Sequence, residues 1–413
     1  MKYQEIKESR VGAGVFYFVK WTLLSCLLGG LGGVTGSVFG HGIRLAAKAF
    51  QTHGWLLLML PLSGLLIVWL YRVSHQEKNR GTNMVILAIS SDEKVTLATA
   101  PLIFVSTILT HLTGGSAGRE GAALQLGGSI GSLVGKLVKL DDKDKKIAVI
   151  GGMSGCFGAL FGTPLAASVF CMEVANVGTF YYAALIPSVF SSFIGAGIAG
   201  IAGLPAERFV ILEIPAFGVG PAVIIGILGI LCALISVGFC LLLHGGEHLY
   251  KKYIENPYLR ILTASGIVIF LTLAAGTRAY NGSSMGLIEE AMEGKVRYEA
   301  FLLKAVFTAV TLGAGYKGGE IVPTLCVGAT FGCMIGTIFG FSPSLCAACG
   351  MVALFVGVTN CPLASMLIAF EMFGFEAMPY LVIAVTVSFG LSGYYGLYSS
   401  QKFAFSKFRM ERK

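Results

Sequence analysis

The chain has 413 residues, of which 55% are hydrophobic and 13% charged, and its mean hydropathy is +0.78. Soluble domains carry about 25% charged residues, so these figures exclude a water-soluble fold and imply a membrane protein. The formal charge of +8 comes without a basic stripe interleaved with aromatics, so no nucleic-acid partner is expected.

Lys2, Lys7 and Arg10 open the chain, and Lys402, Lys407, Arg409, Arg412 and Lys413 close it. By the positive-inside rule both termini are expected in the cytoplasm, with an even number of crossings. Residues 11–50 continue as membrane-like sequence and lack a small-residue cleavage site, so the basic start is read as mature protein rather than a signal peptide. Apolar runs that reach or approach the roughly 17–25 residues of a spanning helix follow at 55–71, 95–109, 147–172, 181–202, 218–243 and 380–398. Other runs are too short or too glycine-broken to cross as simple rods. The 56 glycines suit close helix packing in a bilayer. They also suit chain breaks, which a bilayer tolerates only where protein or a polar cavity satisfies the backbone. Cys26, Cys171, Cys232 and Cys326 sit in apolar runs, where cysteine acts as a small hydrophobe. The pair Cys346 and Cys349 lacks the second pair of a zinc site. No metal or cofactor is expected.

The sequence is written twice. Gly118-Arg119-Glu120 opens a small-residue helix containing Gly127 and Gly128, and Gly318-Gly319-Glu320 opens another containing Gly328 and Gly332. The two glutamates are 200 positions apart. Downstream, Gly162-Thr163-Pro164-Leu165-Ala166 leads to Glu173, and Asn360-Cys361-Pro362-Leu363-Ala364 leads to Glu371. Proline to glutamate is nine residues in both. A repeat this long exceeds the roughly 20–50 residues of a solenoid unit. It predicts two homologous halves, 1–213 and 214–413, with a site between them built from interrupted helices. Repetition alone leaves open whether the halves are parallel or inverted.

Ionisable groups at membrane depth are functional candidates by default. Glu120 starts a helix, where unpaired N–H groups and the dipole favour negative charge. The same place would hold an anion when the carboxylate leaves or takes up a proton, so one group could alternate between blocking the site and carrying a proton. Glu320 repeats that geometry from the other half, and two converging carboxylates could share a proton because like charges oppose double ionisation. The plainer role for Glu120 is a helix-end carboxylate paired to Arg119. Glu173 and Glu371 are expected to bond backbone amides beside their proline-broken turns.

Enzyme patterns are also present. The stretches 114–118 and 282–286 both fit G-x-S-x-G, but neither follows a soluble strand as a nucleophile elbow requires. His111 near Ser116 formally allows an intramembrane protease. His244, Glu247 and His248 spell H-x-x-E-H, yet Gly245 and Gly246 weaken the helix that would align them.

These motifs resemble the CLC family of chloride channels and anion/proton antiporters. The family's Gly-Arg/Lys-Glu-Gly-Pro block is similar to Gly118-Arg119-Glu120-Gly121, with Ala122 in place of proline. Its Gly-Gly-x-x-x-Pro block is similar to Gly318-Gly319-Glu320-Ile321-Val322-Pro323, and a late anion-donating tyrosine matches Tyr398. The likeness runs from about residue 30 to 400, with no cytoplasmic regulatory domain expected after it. It implies an all-α, multi-pass membrane fold, an inverted repeat of two halves with interrupted, tilted helices, in a homodimer with one pathway per subunit. The family's chloride-handling Gly-Ser-Gly-Ile-Pro block is replaced by Arg80-Gly81-Thr82-Asn83-Met84. Asn83, Glu320 and Val174, which stands where chloride antiporters carry an inner proton glutamate, resemble the fluoride/proton branch. Thr82 keeps a hydroxyl like the chloride-type serine. The resemblance therefore implies fluoride export in exchange for protons across the plasma membrane, with Glu120 and Glu320 in gating and proton transfer. Thr82, Asn83, Met84, Gly118, Arg119, Gly121, Gly319, Ile321, Val322 and Tyr398 are the implied anion-binding residues. A chloride/proton antiporter and a passive anion channel stay open on the same motifs.

Overall fold

The computed structural model describes residues 10–91 and 95–407. Its helices, sixteen among the described residues, fall into two runs of eight. The first comprises α1 (Arg10–Thr52), α2 (Leu60–Val73), α3 (Thr82–Ser90), α4 (Thr99–Leu112), α5 (Glu120–Leu137), α6 (Asp142–Phe161), α7 (Pro164–Glu173) and α8 (Leu185–Ile201). The second repeats the order with α9 (Val219–Tyr253), α10 (Pro257–Ala275), α11 (Met285–Met292), α12 (Ala300–Gly313), α13 (Ile321–Ile338), α14 (Pro343–Thr359), α15 (Pro362–Phe373) and α16 (Met378–Leu391). A two-residue parallel pairing of β1 (Asn176–Val177) with β2 (Lys402–Phe403) ties the end of the second run to the first.

Among the described residues, six helical stretches are long and apolar enough to cross a membrane. The 43 residues of α1 span about 65 Å at 1.5 Å per residue, well beyond the roughly 30 Å hydrocarbon core, so this helix tilts or projects. Its glycines pack against neighbouring helices and leave it one rod. A Cβ on Gly29 would sit 2.7 Å from the Ser191 carbonyl oxygen, and one on Gly32 would sit 2.9 Å from the Cys156 nitrogen. They are contact points for α8 and α6, which such small residues allow to approach.

Two expected spans need correction. The run 147–172 is not one helix. Gly162 ends α6 in the left-handed conformation at φ 70°, and Pro164 starts α7 at its first turn. A left-handed cap followed by proline at a helix start stops one helix and opens the next. Asn360 at φ 57° and Pro362 do the same between α14 and α15. The run 380–398 also divides, because α16 stops at Leu391 and Tyr398 lies beyond it in a turn. The basic residues Lys2, Lys7, Arg409, Arg412 and Lys413 lie outside the described residues.

The core sits around α6 and α14, mates in the repeat. Residues 147–161 and 344–359 are buried without interruption, as expected of helices apolar on every side. Each is clasped to the preceding helix by glycine. A Cβ on Gly127 would fall 2.2 Å from the Gly152 oxygen, and one on Gly328 would fall 2.4 Å from the Gly350 oxygen. The second half is an inverted copy of the first. Glu173 accepts from the N–H groups of Leu363 and Ala364 at 3.2 and 2.9 Å. Glu371 accepts from those of Leu165 and Ala166 at 3.0 and 2.8 Å. The amide-bonding role expected of these glutamates holds, but each caps the other half's helix rather than its own.

Hydrogen bonds to a charged acceptor contribute about 1.5–3 kcal/mol each. Glu173→Ala and Glu371→Ala should each lower the melting temperature in detergent. The double variant should cost less than the sum, because both residues belong to one coupled contact; additive losses would argue against reciprocal capping.

Candidate functional site

The two Gly-x-Glu blocks meet at the centre of the molecule. Gly118 and Gly319 pair as an antiparallel bridge, with N–H to carbonyl distances of 2.6 and 2.8 Å. Only glycine fits there: a Cβ on Gly319 would lie 2.6 Å from the Gly121 nitrogen and 3.1 Å from the Glu120 nitrogen. This contact brings the N-termini of α5 and α13 face to face. Arg119 and Glu320 are the N-cap positions, neither bonding its helix through its side chain. First-turn amides at a helix start lack intrahelical acceptors, so both sets are aimed at one place.

Glu120 is completely buried. Its Oε2 folds back to accept from the Arg119 N–H at 3.1 Å, while Oε1 has no hydrogen-bond partner. Glu320 is half-buried, with its Oε2 enclosed and unpartnered. That oxygen lies over Gly121, 3.4 Å from where a Cβ would project, and the Thr82 hydroxyl lies 3.0 Å from the same point. Thr82 begins α3 and points its hydroxyl to the Gly121 carbonyl at 3.4 Å. The buried Tyr398 hydroxyl is also unpartnered and within electrostatic reach of Glu320 and Glu120. Glu320 Oε2 and the Tyr398 hydroxyl are thus enclosed without protein partners, and Glu120 Oε1 accepts no hydrogen bond, with only the Arg119 guanidinium beside it. Buried polar atoms are usually satisfied, so such a cluster is the signature of a site for a small polar guest.

The remaining candidates frame this cluster. Ile321 and Val322 are buried in the first turn of α13, and Met84 is buried on α3, its N–H bonded to the Gly81 carbonyl. Asn83 does not extend a free amide oxygen: its Oδ1 accepts from the Ser400 N–H at 3.0 Å. Gln401 bonds the carbonyls of Val174 and Thr359 at 2.9 and 2.8 Å, and the Leu397 N–H bonds that of Val358 at 2.8 Å. Together these contacts fix the turn that presents Tyr398. Val174 is wholly buried and contributes its carbonyl alone.

Arg119 does pair with Glu120, its Nε lying 3.5 Å from Oε1. Its terminal nitrogen donates to Glu207, on the segment that links the two runs of helices. Glu207 also borders a narrow recess with Phe161, Phe209, Met285 and Val322. It reaches Glu120 through Arg119, and the sequence held no spacing signal for it because its contact with Arg119 bridges 88 positions.

A protein-family model described as voltage gated chloride channel matches residues 63–393. The chain belongs to that family. A chloride/fluoride channel protein of Pseudomonas syringae pv. tomato is 30% identical over 398 residues, covering 95% of this chain and 88% of its own length. Among solved structures, a CLC-type fluoride/proton antiporter superposes with TM-score 0.90 at 29% identity, covering 94% of this chain and 98% of its own. A slow cyanobacterial chloride/proton antiporter superposes with TM-score 0.77 at 18% identity, covering 90% and 94%; this one speaks to the fold alone. Within the CLC fold, the paired glycine blocks are thus the structural centre of this family member.

Glu207→Gln should leave the Arg119 guanidinium facing Glu120 alone. About 1.4 kcal/mol of added hold on an ionised Glu120 would slow its release roughly tenfold. Anion efflux from vesicles should slow by at least this order, whereas wild-type rates would remove Glu207 from the site's machinery.

Proposed function

We propose that this protein exports fluoride in exchange for protons, with Glu120 as the gate and proton carrier. The observation supporting this most is the pair of carboxylates at facing helix starts, each with a buried oxygen that accepts no hydrogen bond. The carboxylate of Glu120 occupies a place that first-turn amides make favourable for any anion. Once protonated, it loses the charge that held it there and yields the place to fluoride. When fluoride leaves, the deprotonating carboxylate returns. The likeness to the fluoride/proton antiporter and to the Pseudomonas protein supports the same reading.

Fluoride is small and strongly hydrated, so its site must replace water with short, strong donors. The amides of Gly121, Ile321 and Val322 and the Tyr398 hydroxyl are assigned that part, with Gly118, Gly319, Arg119, Met84 and Asn83 shaping it. Glu320 takes or shares a proton as fluoride passes. Thr82 directs its hydroxyl to the Gly121 carbonyl, which leaves its proton less available to an anion than the serine of a chloride site. The transporter is placed in the plasma membrane with both termini cytoplasmic, the halves joined near residue 213, and two copies forming a dimer with one pathway each.

In sealed vesicles, an outward fluoride gradient should drive protons uphill, and an equal chloride gradient should drive far fewer. Fluoride efflux without proton movement would make the protein a channel. Chloride flux equal to fluoride flux would overturn the selectivity. Glu120→Gln should abolish proton coupling; retained coupling would remove Glu120 from its role.

A further inference from the structure

Lys304, on α12, is completely buried and has no part in the exchange described above. Its ammonium makes three hydrogen bonds, to Ser116 Oγ at 2.9 Å, the Gly282 carbonyl at 2.7 Å and the Tyr280 carbonyl at 3.3 Å. Three N–H donors thus meet three neutral oxygens, and no carboxylate among the described residues forms an ion pair with it. Burying a charge without a counter-ion is costly, so the fold retains a positive charge here at considerable expense.

The location is specific. Residues 114–117 lead directly into Gly118-Arg119-Glu120, and the second half fastens every one of them. Asn281 Nδ2 donates to the Gly114 carbonyl at 2.8 Å, and the Gly282 N–H donates to that of Gly115 at 3.2 Å. The Ser116 N–H donates to Thr311 Oγ1 at 3.1 Å, and the Ala117 N–H donates to the Gly282 carbonyl at 3.2 Å. Ser116 Oγ also contacts Thr308 Oγ1 at 3.0 Å. The two G-x-S-x-G stretches that mimic a nucleophile elbow are therefore the two sides of this strap, with Lys304 bonded to both. In the repeat, the position 200 residues earlier holds Phe104, which packs on Phe39. The charge breaks the symmetry of the halves and stands on one side only.

We infer that Lys304 is a positioning residue of the anion site that acts through its charge: an uncompensated internal cation, fastened behind the Glu120 helix, that raises the affinity for anions. The inference rests on the reading of the paired helix starts as that site. Ser116 lies two residues before Gly118, so its contact with Nζ keeps the ammonium within roughly 13 Å of the Gly118 Cα at 3.8 Å per Cα step. At that range a unit charge in an effective dielectric of about 20 changes anion affinity on the order of tenfold.

Fluoride titration calorimetry and thermal melting of the purified full-length protein test it. Lys304→Gln should raise the fluoride Kd about tenfold. Ser116→Asp keeps an acceptor beside Nζ but cancels the charge, and should raise Kd similarly even if Lys304→Gln does not fold. Ser116→Ala removes one tether and keeps the charge, so Kd should change less than about threefold whatever happens to the melting temperature. Wild-type Kd in the charge-cancelling variants would overturn the role of Lys304, as would a loss in Ser116→Ala equal to that in Ser116→Asp. Failure of the wild type to bind fluoride would instead overturn the fluoride reading itself.

Discussion

Two helix N-termini aimed at one point repel, because each carries roughly half a positive charge and a set of unbonded amides. The antiparallel contact of Gly118 with Gly319 forces this encounter, and much of the surrounding chemistry follows from it. Negative charge must be available nearby, and the chain supplies it on the two residues that stand at the helix starts, Glu120 and Glu320. Both carboxylates are attached by flexible side chains rather than built into the backbone. The place that needs an anion is permanent, whereas the groups that fill it can move. A mobile anion is a natural competitor under those conditions.

The neighbours control how firmly each carboxylate is held. Arg119 divides its guanidinium between Glu120 and Glu207, so Glu207 draws off part of a charge that would otherwise bind Glu120. On the opposite side, Asn83 and Gln401 hold the Tyr398 turn through backbone contacts. The tyrosine hydroxyl is thereby presented without being consumed. Lys317 stands three residues before Glu320, yet its ammonium lies over the Tyr71 ring, 4.5 Å from the centroid.

Much of the fold was legible because duplication leaves a pattern that composition cannot hide. The Gly-x-Glu blocks, the proline turns and the late glutamates all marked real elements. Two things were not legible. Hydropathy carried the runs 147–172 and 380–398 across breaks, since a left-handed Gly162 costs nothing in apolar character and Leu391 ends its helix without a charged residue. In the site, residues adjacent to a motif were found and those reaching it from afar were not. Glu207 and Lys304 act across 88 and 188 positions, and no local spacing encodes such contacts. Asn83 was identified by its neighbours in sequence, but its oxygen goes to the Ser400 amide.

The reciprocal glutamates also bear on how the chain is made. Glu173 completes a helix that emerges nearly two hundred residues later, and Glu371 returns the same service. Until the second half has been synthesised, the amides of Leu165 and Ala166 wait in the bilayer without their acceptor, where an unmet backbone group is costly. The first half is thus poorly suited to mature alone, and insertion becomes a cooperative event in which neither copy is finished before the other.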